Sequence, residues 1–236
     1  MICKAKLQVL RSVMFIIFFL ALQNLYANGP EITCIELGFD FRGEYNRSFL
    51  YELDFAAQGS IELNDLYTFR GGVSLGATGG SFGIKAFTRA EAGPVFKLLH
   101  FSLAYIYNGL PAYGAHTHTL LPLVSVQGRW AGISAGPSFR FTRYFGGKPL
   151  FETVLSLWGY VNFVSNDNLV IGMSLANYND FYIGNMGSYS LGVNSFIRIN
   201  DHWSINNDIV LLQSGSIGLT ASFYGIAYRG GFRYTW

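Results

Sequence analysis

Charge is scarce in this 236-residue sequence: Asp, Glu, Lys and Arg make up only 13% of it. A water-soluble domain usually carries about a quarter. Beyond the first two dozen residues, no apolar run approaches the ~20 residues a membrane-spanning helix needs, so helical spans are excluded there. There are 2 cysteines, Cys3 and Cys34. Cys3 falls in the leader described below, so Cys34 stands alone and no internal disulfide can form. No linker, charge run or low-complexity stretch divides the chain, which reads as one domain. Phosphate loops, zinc clusters and dinucleotide fingerprints are missing. The net charge of +2 includes Lys4, Lys6 and Arg11 near the start. Without those three the chain is slightly acidic, which gives no electrostatic case for a nucleic-acid partner.

Half of the residues are hydrophobic and 17% are aromatic, with Tyr 15, Phe 21 and Gly 28. Lys, Glu and Ala, the usual helix formers, are sparse, while strand formers and glycine abound. Residues 1–27 read as a signal peptide. A basic start leads into an apolar run from Val13 to Leu22, too short to span but long enough for a secretory leader. Residues 28–236 then form the predicted domain.

From Ile32 onward, apolar and polar residues alternate. Ile35, Leu37, Phe39 and Phe41 oppose Glu36, Gly38, Asp40 and Arg42. Phe49, Tyr51, Leu53 and Phe55 oppose Glu52 and Asp54, and Leu99, Phe101, Leu103 and Tyr105 oppose His100, Ser102 and Ala104. Period two is the signature of strands with two unlike faces. Segments of ~9–11 residues suit tilted transmembrane strands. Gly93-Pro94, Gly128-Arg129, 165–167 and 200–202 are expected as tight turns, and 109–119, 146–149 and 179–187 as longer outer loops. The fold class is all-β: a transmembrane antiparallel up-and-down β-barrel of about 12 strands, with 10 or 8 as alternatives if Gly79-Gly80 or Gln58-Gly59 is a bulge. The final segment, 217–236, changes parity near Tyr224-Gly225, as a bulge or another turn would require.

Its end is the most specific motif. Ile226, Tyr228, Phe232, Tyr234 and Trp236 share one face against Arg229, Gly231, Arg233 and Thr235. A closing strand of alternating aromatics with a terminal Trp resembles the assembly signal of bacterial outer-membrane β-barrels. In general style the chain is similar to small porin-like proteins and to barrels of the OmpW and OmpX kind. The resemblance implies an outer-membrane location reached through the inner membrane. It also implies two partners: the barrel-assembly machinery, acting on this strand, and outer-membrane lipid. Trp130, Trp203 and Trp236 are expected at the periplasmic ends of strands, as an interfacial aromatic girdle. Tyr107, Tyr144, Tyr178 and Tyr189 are expected near the opposite rim.

Glu36, Asp40, Arg42, Glu52, Asp54, Arg70, Lys85, Arg89, Arg140, Glu152, Arg198 and Asp208 are expected to line the lumen, with Glu91, Arg229 and Arg233 beside them. Unpaired charges in a narrow barrel are costly, so pairing is expected. Either a packed ion network or a water-filled pore fits that face. The function read from the chain is a small porin for passive diffusion of small solutes. One alternative is a structural or surface-interaction barrel acting through loops 109–119 and 179–187. A third is a lipid-modifying enzyme. That third reading needs a nucleophile beside a base. His100-Phe101-Ser102 supplies the residue types, but both polar side chains face inward and no orienting acid is apparent. His116 and His118, two apart, could share a metal with Asp180 as a third ligand. A polar loop is the simpler reading, so no metal, no cofactor and no enzymatic activity are expected.

Overall fold

Alternation dictates two faces, and two faces without water on the outside dictate closure, because an open sheet edge in lipid would leave backbone groups unpaired. The computed structural model describes residues 31–46, 51–78, 81–95, 97–183, 188–214 and 222–236, so the leader lies outside the described residues. Its strands are β1 (Ile32–Asn46), β2 (Tyr51–Leu63), β3 (Tyr67–Thr78), β4 (Ser81–Val95), β5 (Leu99–Leu110), β6 (Ala115–Gln127) and β7 (Ala131–Arg143). There follow β8 (Leu150–Ser165), β9 (Leu169–Ala176), β10 (Tyr178–Asn179), β11 (Tyr182–Ile183), β12 (Ser188–Arg198), β13 (Trp203–Ser214) and β14 (Ser222–Thr235). All but β10 and β11 form one closed barrel, in the order β1-β14-β13-β12-β9-β8-β7-β6-β5-β4-β3-β2. Each strand pairs antiparallel with its neighbours, and the seam between β1 and β14 runs from Glu36↔Thr235 to Asn46↔Gly225. Twelve strands therefore replace the alternatives of ten and eight. Gln58 and Gly59 pair regularly inside β2, and Gly79-Gly80 lies outside the described residues.

The outer surface is apolar. Leu37, Phe39, Phe55, Phe69, Val73, Leu103, Ile133, Phe151, Val193 and Phe232 are all exposed. In water each would forfeit roughly 1.5–3 kcal/mol of burial, a cost that lipid removes. Five tight connections cluster at the end that also holds Ile32 and Thr235. Asn64 and Asp65 both take the left-handed conformation, at φ 53°, in a tight turn closed by the Leu66 amide on the Leu63 carbonyl at 3.1 Å. Asn166 Oδ1 accepts the amides of Asn168 and Leu169, and Asn200 Oδ1 accepts those of His202 and Trp203. Trp130, Trp203 and Trp236 are exposed at this same end, where Tyr234 packs edge-on against both Trp203 and Trp236 at 4.9 and 4.6 Å.

Several sequence expectations change. Gly93-Pro94 is not the turn: β4 continues to Val95, with a register shift between Ala92 and Val95 that uses these residues as a bulge. The outer loop at 109–119 is mostly strand, because β5 runs to Leu110 and β6 starts at Ala115. His116 and His118 therefore sit on the outward face, where alternation with Thr117 and Thr119 continues the ladder. The segment 217–236 begins as strand only at Ser222, and residues 215–221 lie outside the described ones. The parity change is a bulge: Leu212 pairs with Gly225 and Gln213 with Phe223, which leaves Tyr224 as the extra residue.

One weak line crosses the wall. Between Leu120↔Phe139 and Val124↔Ala135 the β6–β7 ladder lapses. Pro122 has no amide to give, and the register sets it opposite Pro137. The strands nearly touch here: a Cβ on Gly136 would lie 1.9 Å from the Pro122 carbonyl oxygen. Gly136→Ala is expected to cost about 1–3 kcal/mol through this overlap with backbone, read as a lower urea midpoint for the refolded barrel. An unchanged midpoint would mean the two strands separate without penalty.

Candidate functional site

The interior has two unlike sides. Along β14, β1, β2 and β4 it is ionic. Asp40 accepts from Arg233 Nη1 and Nη2 at 2.8 and 3.1 Å, from Arg229 Nη2 at 3.2 Å and from Gln58 Nε2 at 2.6 Å. Glu36 lies 3.5 Å from Arg233. Lys85 on β4 reaches across β3 to Asp54, at 2.8 Å, and to Glu52. It can do so because the facing positions on β3 are Ser74 and Gly76, and a Cβ on Gly76 would overlap the Asp54 carboxylate. Arg42 pairs with Glu44 at 2.5 Å, and Arg140 lies 3.5 Å from Glu152. Asp208 accepts from Asn194 at 3.0 Å. Arg70 and Arg198 have no carboxylate partner among the described residues.

On β4, β5 and β6 the interior also holds an apolar cluster, which the alternation did not announce. Phe87, Ala104, Ile106, Leu121 and Leu123 are buried inside the barrel, with Ile106 and Leu121 fully so. What they pack against is the segment expected as an outer loop. After Asn177 the chain turns into the lumen, where β10 pairs with β11. Tyr178 and Phe181 join the buried cluster and Trp158 packs against it. Phe181 meets Phe87 edge-on at 4.9 Å. Asp180 pairs with Arg89 at 2.9 Å, and the Tyr178 hydroxyl donates to Ser134 Oγ at 3.0 Å. Asn179 Oδ1 accepts the Phe181 amide at 2.8 Å, which tightens the turn. Loop 179–187 is therefore corrected in its described part: it points inward, and Tyr178 is a lumen residue rather than a rim residue.

A cavity of about 460 Å³ remains between the ionic side and this hairpin. Asp40, Arg42, Asp54, Arg70, Arg89 and Asp208 are among its walls, as is Glu52. A volume of that size suits a small ligand or a file of waters. Two other candidates look different in three dimensions. His100 faces inward and its Nδ1 lies 2.9 Å from Glu91 Oε1, an acid partner the sequence reading missed. The signal was available, because Glu91 lies opposite Ser102 across the β4–β5 hairpin. No hydrogen bond joins His100 to Ser102 among the described residues, and the pair is enclosed rather than lipid-facing. His116 Nδ1 and His118 Nδ1 bond the hydroxyls of Tyr107 and Tyr105 at 2.8 and 2.6 Å. Asp180, the third ligand considered, is spent on Arg89 inside the barrel.

No protein-family model matches the chain, and no curated protein matches it. Solved structures do. The NanC porin superposes with a TM-score of 0.56 at 11% identity, covering 83% of this chain and 98% of that one. The KdgM porin gives 0.52 at 11% identity over 84% and 98%, and so does the KdgM porin in complex with disordered oligogalacturonate. At such identity the likeness is one of fold: a closed outer-membrane porin barrel.

Proposed function

We propose that this protein is a bacterial outer-membrane channel for passive passage of small solutes, narrowed by its own hairpin. One observation carries the reading: a two-sign polar cavity of about 460 Å³ persists beside a lumen segment that is fastened to one wall. A barrel packed shut would have its ionic side capped by apolar side chains, whereas here Arg70 lines the cavity and has no carboxylate partner among the described residues. The porin fold and the oligogalacturonate complex of KdgM, a porin of the same architecture, support passage of small polar solutes. Catalysis plays no part in this reading. The leader at 1–27 takes the chain across the inner membrane, and β14 delivers it to the assembly machinery and to outer-membrane lipid. The surface-interaction reading loses its ground, since 109–119 is largely strand and the described part of 179–187 points inward.

The test is single-channel recording from residues 28–236 refolded into a planar bilayer. Small, reproducible steps are expected, favouring neither sign strongly. A folded barrel that stays silent at every voltage would refute the reading.

A further inference from the structure

Lipid around a barrel selects against charge on the outward positions of its strands. The acids obey: every Asp and Glu from Glu31 onward faces the lumen or sits at the tight-turn end. Among the cations of the described strands, Arg143 is the exception. It shares the outward parity of the exposed Phe139 and Phe141, while Thr142 is buried on the inner face. Arg143 is itself exposed and has no carboxylate partner among the described residues. It is the last residue of β7, at the rim opposite the tight turns and the strand ends Ile32 and Thr235.

Two histidines share that rim. The register sets His116 of β6 opposite Arg143 and His118 opposite Phe141. Both are braced from β5. The Tyr107 ring stacks on His116 at 22° and 6.1 Å, and the hydroxyls of Tyr107 and Tyr105 hold Nδ1 of His116 and His118. With each hydroxyl donating, the imidazole proton lies on Nε2, and neither Nε2 has a hydrogen-bond partner among the described residues. The turn after β7, closed by the Gly147 amide on the Tyr144 carbonyl at 3.2 Å, returns the exposed Lys148 to the same rim. Toward the middle of the wall the face turns apolar. Leu120 pairs with Phe139 and Phe141 with Phe151, and all four are exposed.

A cation at the edge of hydrocarbon needs an anion close by, and no acid of this chain reaches the outer face. Arg143 repels a metal ion from the imidazoles beside it. The anion available at this height is a lipid headgroup phosphate. We infer that the rim of β5, β6 and β7 is a docking site for a phosphorylated glycolipid of the outer leaflet. The Arg143 guanidinium takes the phosphate through two parallel hydrogen bonds. His116 Nε2 donates beside it, and the acyl chains lie along Leu120, Phe139, Phe141 and Phe151. The site rests on the outer-membrane placement and not on an open lumen.

The test is native mass spectrometry of residues 28–236 refolded in detergent. Lipid A carrying both phosphates is compared with the same lipid after dephosphorylation. One copy of the phosphorylated lipid should be held about tenfold or more tighter, the worth of a charge-assisted hydrogen bond. Arg143→Gln should lose most of that preference and His116→Gln part of it. Lys97→Gln, which removes an exposed cation at the opposite end, should keep it. Heat-modifiable gel mobility reports folding of each variant, and the comparison of the two lipids needs no variant. Equal binding of the two lipids, or an unchanged preference in folded Arg143→Gln, overturns the site. So does displacement of the lipid by millimolar inorganic phosphate, or a dimer of barrels in place of the lipid adduct. Bilayer recording of the unsubstituted barrel reports on the channel separately: conductance steps without a lipid preference sink the site and leave the channel standing.

Discussion

Alanine in place of Asp40 is expected to destabilise the barrel by about 3–5 kcal/mol, the usual loss when one member of a buried ion cluster is removed. The Asp40 side chain is only 4% exposed and sits between two guanidinium groups. Taking it away leaves Arg229 and Arg233 side by side in the seam between β1 and β14 without the carboxylate that bonds both, and only Glu36, 3.5 Å from Arg233, stays in ion-pair range. Space for the carboxylate was made by Gly231, whose Cβ would lie 1.9 Å from Asp40 Oδ1. Urea unfolding of the refolded protein in lipid, followed by tryptophan fluorescence, would measure the loss. Arg229→Ala should cost less, because Arg233 keeps Asp40 paired through two hydrogen bonds. If Asp40→Ala loses under ~1 kcal/mol, as an exposed surface pair would, water reaches the seam and the cluster is not structural.

Phe181→Ala is expected to release the hairpin and widen the channel. Truncating a buried Phe costs ~3–5 kcal/mol, and 3 kcal/mol shifts a docked-to-undocked ratio by roughly a hundredfold. The segment has few other anchors to the wall: the Asp180–Arg89 pair and the buried Tyr178 ring with its hydroxyl on Ser134. Recordings of Phe181→Ala should show a new conductance level, about twice the native step or more, interleaved with the native one as the hairpin swings. Asp180→Asn weakens a charge-assisted contact and should give the larger level less often. Native steps alone in both variants would mean that the hairpin does not restrict flow, and the polar side of the lumen would then set conductance by itself.

The barrel was legible because lipid outside and water inside impose period two on every strand. In β1 and β2 the alternation runs through most of each strand, and the two faces followed from it. Where both faces are apolar, the same rule had nothing to read. Ile106, Leu121 and Leu123 lie on inward positions of β5 and β6, beside outward Leu103, Leu120 and Val124. An apolar run on both faces means that something covers the inner one. No local pattern says that the cover is Phe181, some 60 residues further on in sequence. Gly93-Pro94 misled because its composition suits a turn and a bulge equally, and only the pairing of Val95 with Leu99 decides. Among the interior charges, the types were evident and the partners were not. Asp40 finds Arg233, and Lys85 passes over β3 to reach β2. These choices depend on which strand closes the barrel and on glycines that leave room, and both are properties of the assembled sheet.

The Asp40 cluster also orders events in time. Its hydrogen bonds to Arg229 and Arg233 span 189 and 193 residues of chain. Until β14 arrives, the carboxylate on the inner face of β1 has Gln58 beside it but no cation from the seam. A half-assembled sheet therefore carries a standing electrostatic penalty, and the final strand is the part that cancels it. The seam works as a completion check. An intermediate stalled before β14 is held in a shallower well than the closed barrel and remains open to release and proteolysis, while a molecule that closes is locked by contacts between the two ends of its chain.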